Sequence, residues 1–395
     1  MQNYAYIESN LESNIYFNNN LVPGRGIEFS TELDVPSPYY FGYKIENILL
    51  KNLEKFEFDK LFFLTEESVF KIYGESLYKK IKNKFPNTFL NILLAGEQNK
   101  YFKNLEELCE LLIEQNISKK SILIGFGGGG VGNLVGLTAG LIYRGIRFIE
   151  IPTTFTGQTD STLSNKQAVN GKRGKNHFGL YHSPIFIIGD TYYLHTEPKN
   201  ARRAGIIEGI KNGLISDKCF FEYLYENLAF YNAENAFKNN DLALKIIQSK
   251  LEILRKDPSE KHYGIILEYG HTFGHALEWL MKGKILHGDA VSFGMRIAAE
   301  LSNEIGLLSK EEVNLHYDII ENKLGYKDPF PAEISSDMLI EAMINDNKKT
   351  GRELRFVLLE KIGKCYNPEG DYLVTVDLNI VKKVLDNYIL KNKIQ

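Results

Sequence analysis

From about Pro38 to Asp190, short apolar runs alternate with longer amphipathic stretches. Glu67–Asn83 and Asn104–Gln115 have the spacing of helices that bury one face. Alternation of strand and helix predicts a Rossmann-like α/β domain with a largely parallel sheet and helices on both faces. The runs that predict buried strands are Leu61–Leu64, Asn91–Leu94, Ser121–Gly125, Arg147–Ile151 and Pro184–Ile188.

After about Pro198 the pattern changes to helical periodicity, and only Leu354–Leu359 is clearly typical of a strand. We therefore predict three parts: an N-terminal extension (1–37), an α/β domain (38–198) and a mostly helical domain (199–395). The extension is rich in Asn, Tyr and Ser up to Gly24, which favours a peripheral segment. The helices expected in the third part are Ala201–Ser216, Asp241–Lys256, Gly270–Lys282, Ala290–Gly306, Lys310–Leu324 and Ser336–Asn347.

Composition and charge disfavour several classes of protein but do not identify the function. Apolar residues make up 44% of the chain and the net charge is −3, so no general attraction to nucleic acid or membrane is expected. Three scattered cysteines favour neither disulfides nor a thiolate metal site. We find no signal-peptide pattern and no apolar run near the roughly 20 residues of a membrane span. A cytoplasmic protein is expected.

Three of the 8 histidines fall between residues 271 and 287. His271 and His275 are four apart, so on a helix they share a face, and His287 follows the turn after that helix. Catalytic zinc takes three protein ligands and keeps one open position. The residues alone therefore predict a metal site here, against the alternative of a helix with ordinary core or surface histidines.

A glycine-rich segment, Gly125–Asn133, follows an apolar strand and precedes an apolar helix. Such a turn lets the backbone approach a pyrophosphate at the helix N-terminus. Its late position in the chain does not fit the usual dinucleotide fingerprint, and a tight turn is the structural alternative. Four consecutive glycines, Gly127–Gly130, exceed what a turn needs, so we predict nucleotide or phosphate binding.

Two further polar groups are candidates. A segment with Asp160, Lys166 and Lys175 follows a predicted strand, where ligands bind in open α/β sheets, although a solvated basic loop is equally compatible. Glu208 and Lys211 lie three residues apart on a helix that is otherwise apolar. A surface ion pair is the common interpretation, but charges among buried neighbours need a partner or a metal.

Taken together, these motifs resemble the sugar phosphate cyclases, the family of dehydroquinate synthase. The resemblance runs from about Tyr39 to Leu359 and depends on the order of motifs that are individually unspecific. It implies an NAD-binding α/β domain, a helical metal-binding domain and an active site between them. The motifs are Glu97–Lys100, Gly127–Asn133, Tyr143–Gly145, Pro152–Thr154, Asp160–Ser161, Lys175–Asn176, Glu208–Lys211, His271–His275 and His287–Asp289.

The resemblance also implies roles for individual residues. Glu208, His271 and His287 match the ligands of a divalent metal, Co2+ or Zn2+, which moves His275 from the metal to the substrate phosphate. Arg144 matches an arginine that enters a partner subunit's site, so a homodimer is expected. Residues matching catalytic positions are Lys211, Glu268, Lys250, Asp160 and His275. Residues matching substrate contacts are Lys166, Lys175, Asn176, Lys348 and Arg144, with Lys349 as the alternative to Lys348. Residues matching the NAD site are Glu97, Lys100, Gly128, Gly129, Asn133, Thr153, Thr154, Asp160, Ser161, Lys166, Lys175 and Thr196.

Two departures from dehydroquinate synthase bear on the substrate. That enzyme has an arginine for the substrate carboxylate seven residues before the first motif histidine, and an asparagine three before it; here they are Gly264 and Glu268. Glycine cannot replace a guanidinium, and Glu268 would repel a carboxylate. The segments Ser164–Asn170, Asp257–Lys261 and Leu267–Tyr269 resemble the 2-deoxy-scyllo-inosose synthase branch of the family.

Enzymes of that branch convert D-glucose 6-phosphate to 2-deoxy-scyllo-inosose and release phosphate. 2-Deoxy-scyllo-inosose is the first carbocycle on the route to 2-deoxystreptamine aminoglycosides. The implied sequence is transient C4 oxidation with NAD, phosphate β-elimination, re-reduction, ring opening and intramolecular aldol closure. The alternatives are dehydroquinate synthase or another sugar phosphate cyclase and, more distantly, a metal-dependent polyol dehydrogenase. A non-enzymatic homologue is disfavoured because Glu208, His271 and His287 are all present.

Overall fold

A mostly parallel sheet organises the first part of the chain. The computed structural model describes residues 5–6, 26–30, 37–172, 174–231, 241–327, 330–347 and 354–392. The strands of this part are β1 (Ala5–Tyr6), β2 (Gly26–Ser30), β3 (Pro38–Gly42), β4 (Leu61–Glu66), β5 (Thr88–Leu93), β6 (Ile122–Gly127), β7 (Arg147–Pro152), β8 (Lys166–Gly171), β9 (Gly174–Tyr181) and β10 (Phe186–Asp190). Its helices are α1 (Glu46–Leu53), α2 (Glu67–Val69), α3 (Glu75–Lys84), α4 (Phe102–Glu114), α5 (Gly129–Leu141) and α6 (Phe155–Thr159).

The sheet has the order β1-β2-β3-β10-β7-β6-β4-β5. Its six strands from β3 to β5 are all parallel, and β2 pairs antiparallel to β3. Successive residues of β4 enter different cores: Phe63 packs on one face and Phe62 on the other, both fully buried. Burial on both faces explains why these strands appear in the sequence as continuous apolar runs. The predicted α/β fold class is confirmed.

Two features of this part differ from the sequence-based expectation. The sheet begins before Pro38, because β2 lies within the predicted N-terminal extension and pairs with β3. The candidate ligand-binding segment with Lys166 and Lys175, for which a basic loop was the alternative, forms the antiparallel hairpin β8–β9. The hairpin lies on glycines of α5: a Cβ on Gly136 would come within 2.3 Å of Gln167, and one on Gly140 within 2.6 Å of Leu180. Its strands are polar, so periodicity did not reveal them.

The second part of the chain is mostly helical, as predicted. The chain forms two compact units, one of residues 1–198 and 237–247 and the other of residues 199–236 and 248–395. Helix α8 and the C-terminal helix α14 were not predicted, and the expected strand Leu354–Leu359 is divided between β11 and β12. The elements are α7 (Lys199–Ser216), α8 (Lys218–Tyr231), α9 (Asp241–Lys256), α10 (His271–Met281), α11 (His287–Glu304), α12 (Lys310–Asp318), α13 (Ser336–Asn347), α14 (Leu378–Asn392), β11 (Arg355–Phe356), β12 (Leu359–Lys361), β13 (Lys364–Cys365) and β14 (Val374–Thr375).

Among the described helices, none is both long enough and apolar enough to cross a membrane. Helix α11 illustrates why: it is 18 residues long, but it carries Asp289, Arg296 and Glu300.

Glu150 is a buried carboxyl group in the middle of the sheet. It lies on β7, is 4% exposed, and its Oε1 would be 3.0 Å from a Cβ on Gly132 of α5. Its Oε2 has no hydrogen-bond partner among the described residues. Burial raises the pKa of Glu150 to about 8, because the charged form is poorly solvated there. The native protein therefore holds a proton on Glu150 at neutral pH.

We expect Glu150→Gln to stabilise the protein increasingly from pH 5 to pH 8. Below the ordinary glutamate pKa both folded and unfolded states hold the proton, so Glu150 does not make the free energy of unfolding depend on pH there. Above it the unfolded chain releases the proton while the folded chain retains it, so stability falls until pH exceeds the folded pKa. The amide removes this loss, on the order of 3–4 kcal/mol at pH 8 relative to pH 5.

Thermal unfolding of both proteins between pH 5 and 8.5 measures this difference. Glu114→Gln, which alters an exposed glutamate on α4, is the matched control. Parallel curves of Tm against pH for the parent and Glu150→Gln would contradict the assignment of a neutral Glu150.

Candidate active site and metal centre

Three helices of the second unit bring a carboxylate and two imidazoles together. Glu208 lies on α7, His271 is the first residue of α10, and His287 is the first residue of α11. Oε1 of Glu208 is 3.7 Å from Nε2 of His271 and 3.3 Å from Nε2 of His287. Oε2 of Glu208 accepts a hydrogen bond of 2.6 Å from Nζ of Lys211. One carboxylate thus faces a lysine on one side and two histidines on the other.

The outer nitrogen of each histidine faces its own acceptor. Nδ1 of His271 is 3.2 Å from the backbone oxygen of Tyr269, and Nδ1 of His287 is 3.3 Å from Oε2 of Glu278. An acceptor at Nδ1 orients the ring and, once the imidazole is neutral, keeps its proton on Nδ1 so that the Nε2 lone pair is directed inward, as metal-binding histidines require. Both rings are therefore oriented with Nε2 toward Glu208.

His275 lies one helical turn after His271 and belongs to the same cluster. One ring nitrogen from each of His271, His275 and His287 falls within 4.8 Å of the other two. The ring of His275 is 5.1 Å from that of His271 and 5.7 Å from that of His287, centroid to centroid. The structure thus brings together all three histidines of the sequence motif, with Glu208 from another helix.

Close backbone contacts at glycines make this convergence possible. A Cβ on Gly288 would lie 2.4 Å from Cα of Ala204, so α11 meets α7 directly beside His287. A Cβ on Gly294 would lie 1.9 Å from the oxygen of Gly270, which has a φ of +77° and precedes His271. Larger residues at these positions would push the helices apart and separate the histidines from Glu208.

A partly buried ion pair links the start of α11 to α7. Arg203 donates two hydrogen bonds to Asp289, at 2.9 and 2.8 Å, and its guanidinium stacks over Tyr326 at 4.0 Å from the ring centroid. This bidentate geometry resists rotation of the helix end. Because Arg203 lies five residues before Glu208 and Asp289 two after His287, the pair ties the two ligand-bearing segments together.

The charges of the cluster are strongly coupled. Burial alone would raise the pKa of Glu208, but Lys211 and the neighbouring histidines hold it well below its usual range. Burial and the charge of Lys211 keep the pKa of His271 well below its ordinary value. Burial would also lower the pKa of His287, but Glu208 and Glu278 raise it to about 10. The ring of His287 is 40% exposed, so solvent reaches it. Without a bound cation, these shifts favour an ionised Glu208, a neutral His271 and a protonated His287.

This arrangement fits a divalent cation. Oε1 of Glu208 is buried and has no partner in hydrogen-bonding geometry among the described residues. Tetrahedral ligands at about 2.0–2.2 Å from a zinc ion lie roughly 3.3–3.6 Å from each other, close to the two separations from Oε1 to the histidine nitrogens. Two imidazoles and one carboxylate, with their outer atoms held, form a donor set that suits Zn2+ or Co2+.

The glycine-rich segment forms a tight connection in the first unit. Gly128 lies at the N-cap of α5, and the amide of Thr153 donates to the oxygen of Gly127 at 2.9 Å. A Cβ on Gly130 would be 2.7 Å from the oxygen of Gly96, and one on Gly128 would be 3.1 Å from Cγ2 of Thr154. The absence of side chains here leaves the opening turn of α5 accessible to a close backbone approach, which suits a pyrophosphate.

Several other predicted cofactor and substrate residues are held by hydrogen bonds within the first unit. Lys100 donates to Oδ1 of Asn176 at 2.7 Å, and the amide of Asn176 donates to Asn170 at 3.0 Å. Asn133 joins α5 to the hairpin, donating to the oxygen of Gly129 and accepting from the amide of Ala168. Thr196 donates to the hydroxyl of Tyr73 at 3.1 Å.

The remaining predicted residues lie on turns and element ends. Asp160 ends α6, Ser161 begins the following turn, Lys166 begins β8, and Thr154 caps α6. The others are Glu97 in the turn Gly96–Asn99, Gly129 at the start of α5, exposed Lys175 on β9, exposed Arg144, buried Lys250 on α9 and partly buried Glu268. Lys348 and Lys349 lie outside the described residues.

Sequence reasoning did not assign a role to the outer partners of the histidines. Glu278 is three residues after His275, so helical spacing placed it near the same face. Its contact with His287 depends on how α10 meets α11, which spacing within one helix cannot give. The Tyr269 oxygen and the Arg203–Asp289 pair also depend on tertiary packing.

Comparison with known proteins gives matches along most of the chain. Residues 90–204 match the family described as 3-dehydroquinate synthase N-terminal, and residues 205–349 match 3-dehydroquinate synthase C-terminal. A 2-deoxy-scyllo-inosose synthase from Streptomyces kanamyceticus is 32% identical over 361 residues, covering 89% of this chain and 92% of the relative. A 3-dehydroquinate synthase from Shouchella clausii is 36% identical over 317 residues, covering 80% and 87%.

A solved structure is also similar. It is a 2-deoxy-scyllo-inosose synthase complexed with carbaglucose-6-phosphate, NAD+ and Co2+. It is 30% identical, with a TM-score of 0.82, and the match covers 92% of this chain and 99% of that one.

We expect cation binding at this cluster to release a proton from His287. Without a cation the two carboxylates keep the proton on the ring, and a metal ligand must be neutral. Apparent affinity for Zn2+ or Co2+ should therefore rise with pH between 7 and 9, approaching about tenfold per pH unit. Titration calorimetry in buffers of different ionisation enthalpy counts the protons released.

Glu278→Gln tests the origin of the released proton. Loss of one carboxylate lowers the pKa of His287, so fewer protons should be released at pH 8 to 9. Glu311→Gln, at an exposed position on α12, should leave the count unchanged. Equal proton release by the parent and Glu278→Gln would reject His287 as the source.

Proposed function

The chain belongs to the 3-dehydroquinate synthase family of NAD- and metal-dependent sugar phosphate cyclases, and within that family we propose that it acts as a 2-deoxy-scyllo-inosose synthase. In this proposal D-glucose 6-phosphate is converted to 2-deoxy-scyllo-inosose and inorganic phosphate. The single observation that carries the choice of substrate is the pair Gly264 and Glu268, which stand where dehydroquinate synthases have an arginine and an asparagine.

The surroundings of Gly264 support a substrate without a carboxylate. A Cβ on Gly264 would lie 3.1 Å from Cβ and 3.2 Å from Cγ of Glu260, and 3.3 Å from the oxygen of Asp257. The carboxylate of Asp257 accepts the amides of His262 and Gly264 at 2.6 and 2.9 Å, which closes the loop around this position. A side chain at 264 would have to displace Glu260. Glu268, four residues after Gly264, carries a negative charge that would repel a substrate carboxylate, while it could accept hydrogen bonds from hydroxyl groups.

Glu208, His271 and His287 are proposed to hold the divalent cation. Support comes from the buried Oε1 of Glu208, its similar separations from both Nε2 atoms, and the acceptors behind each ring. A bound cation would polarise an oxygen of the substrate. His275 is proposed to contact the phosphate instead, because its match in the family does so and its ring lies beside both histidine ligands.

NAD is proposed to bind at the glycine turn of the first unit, where it would accept and return a hydride. Gly128 and Gly129 would provide the close approach, while Lys100, which is bonded to Asn176, and the hairpin residues Lys166 and Lys175 would provide positive charge. Proposed contacts of the cofactor or the sugar phosphate are Glu97, Asn133, Thr153, Thr154, Asp160, Ser161 and Thr196, with Lys348 for phosphate.

Within the second unit, buried Lys211 and Lys250 and partly buried Glu268 are proposed to handle protons at the reacting hydroxyls. Lys211 is held by its 2.6 Å bond to Glu208. The helix of Lys250 is tied to α7 by a 3.1 Å hydrogen bond from Asn212 to Ser249. Glu268 ends the turn Tyr263–Glu268, three residues before His271.

A homodimer is part of the proposal. Tyr143 and Arg144 have φ of 51° and 67°, a backbone conformation unfavourable for side-chain-bearing residues. This turn exposes Arg144 together with Leu141 and Tyr143, which are 48% and 42% exposed. An exposed arginine beside apolar side chains suits contact with a second copy, as expected if Arg144 completes a partner's site.

The substrate test compares phosphate release from three sugar phosphates. With NAD and Co2+ present, we expect release from D-glucose 6-phosphate and little from 3-deoxy-D-arabino-heptulosonate 7-phosphate or sedoheptulose 7-phosphate. No net NADH should accumulate, because the hydride returns to the product. Preference for the heptulosonate would establish dehydroquinate synthase instead, and steady NADH formation would establish a polyol dehydrogenase.

Glu268→Gln tests the glutamate that distinguishes this chain. If Glu268 transfers a proton, the isosteric amide should lower kcat with D-glucose 6-phosphate by about 100-fold or more, since general acid–base groups contribute about 10²–10⁴-fold. Cation affinity should not change. Glu341→Gln, at an exposed position on α13, is the control. Unchanged turnover of Glu268→Gln would reject an ionisable role for this residue.

A further inference from the structure

A buried hydrogen bond joins two residues outside the histidine cluster. The side chains of Tyr269 and His316 are both fully buried, and the Tyr269 hydroxyl is 3.0 Å from Nε2 of His316. The same hydroxyl is 3.3 Å from the backbone oxygen of Met295. Polar groups this deep in a core are costly unless every one is paired, so a packing role alone would be better served by phenylalanine and leucine.

The direction of this bond follows from the surroundings of His316. Its Nδ1 is 2.7 Å from the backbone oxygen of Glu312, which can only accept. Burial lowers the pKa of His316 to about 4, so at neutral pH the ring carries one proton, and that proton lies on Nδ1. Nε2 is left as an acceptor. The hydroxyl of Tyr269 therefore donates to His316.

His316 is itself held in place. It lies on α12, whose start is fixed by a capping box between Ser309 and Glu312. Oε1 of Glu312 also accepts the amide of Ile362 at 2.9 Å. The acceptor for the Tyr269 hydroxyl is thus attached to a helix that is anchored at its own N-terminus.

The other end of Tyr269 reaches the metal centre. Its backbone oxygen is the acceptor 3.2 Å from Nδ1 of His271. The next residue, Gly270, has a φ of +77° and no room for a side chain, since a Cβ would be 2.7 Å from the amide nitrogen of Met295. The peptide that faces His271 is therefore confined on one side by α11 and on the other by the tyrosine ring.

We propose that Tyr269 and His316 are positioning residues for the metal centre: their hydrogen bond fixes the Tyr269 backbone, and the Tyr269 oxygen fixes the ring of His271. The inference depends on the ligand set proposed above, and on no assumption about the sugar phosphate. Outer partners of metal-binding histidines typically contribute about 10–100-fold to metal affinity. The path here includes one more residue, so an effect near the lower limit is expected.

The test is cation affinity in Tyr269→Phe, which removes the hydroxyl and keeps the ring. Competition with a chromogenic chelator should show Co2+ and Zn2+ bound about tenfold more weakly. The visible absorption of the Co2+ form should change, because the orientation of His271 alters the ligand field. His316→Leu should act similarly, and His316→Gln, which keeps an acceptor, should restore part of the affinity.

Tyr388→Phe is the matched control. Tyr388 is 2% exposed in the same unit, on α14, and packs against Tyr317 and Phe330. Tyr388→Phe also removes a buried tyrosine hydroxyl, and it should keep the cation affinity and the Co2+ absorption of the parent. Thermal unfolding of every variant verifies folding, and if His316→Leu does not fold, Tyr269→Phe decides the question.

Parent affinity and an unchanged Co2+ spectrum in Tyr269→Phe would overturn the proposal, whatever the change in Tm. An equal loss in Tyr388→Phe would also overturn it, because general loosening would then be the cause. All of these measurements are made without substrate. Failure to convert D-glucose 6-phosphate would therefore leave this inference standing, and its own failure would leave the substrate proposal standing.

Discussion

The buried carboxylate of Glu208 is the constraint around which the helical unit is organised. An ionised carboxylate at 1% exposure is unfavourable without compensation from nearby positive charge or hydrogen bonds. Lys211 compensates one oxygen from the same helix, and the histidines of two other helices face the second. Three chain segments that are distant in sequence must therefore meet at one point. Much of the packing around Glu208 keeps these three segments in contact.

Glycine contacts are the means by which the helices come close enough. Histidine side chains are short, so α7, α10 and α11 must approach nearly backbone to backbone before Nε2 atoms can reach one carboxylate. Gly288 against Ala204 and Gly294 against Gly270 provide that approach. The bidentate Arg203–Asp289 pair then limits sliding. The same principle operates in the first unit, where Gly130 meets the oxygen of Gly96 and Gly136 meets Gln167.

The sequence predicted those elements whose pattern is local. The strands β4, β6 and β7 were found because strands buried on both faces are continuously apolar, and α9 and α13 have the predicted bounds. The hairpin β8–β9 was missed because its strands are polar and are stabilised by a glycine face of α5. In the site, spacing predicted the shared face of His271 and His275. The apolar helix around Glu208 made it a candidate for a partner or a metal, and the family resemblance assigned it as a ligand. The contact of Glu278 with His287 arises only when two helices meet, so no local pattern could reveal it.

The turn Tyr263–Glu268 and the histidine-bearing helices differ in how they constrain amino-acid substitutions. Residues of the histidine cluster are set in helices whose contacts at Gly288 and Gly294 leave no space for even a methyl group, so substitution there disturbs the whole centre. Gly264 and Glu268 belong instead to the short connection between α9 and α10, where the nearest neighbours of a Cβ on Gly264 would be Glu260 and Asp257 of the same connection. If Gly264 and Glu268 select the substrate, as proposed, a lineage can change the molecule that it accepts through this short connection. The helices that carry Glu208, His271 and His287 then stay unaltered.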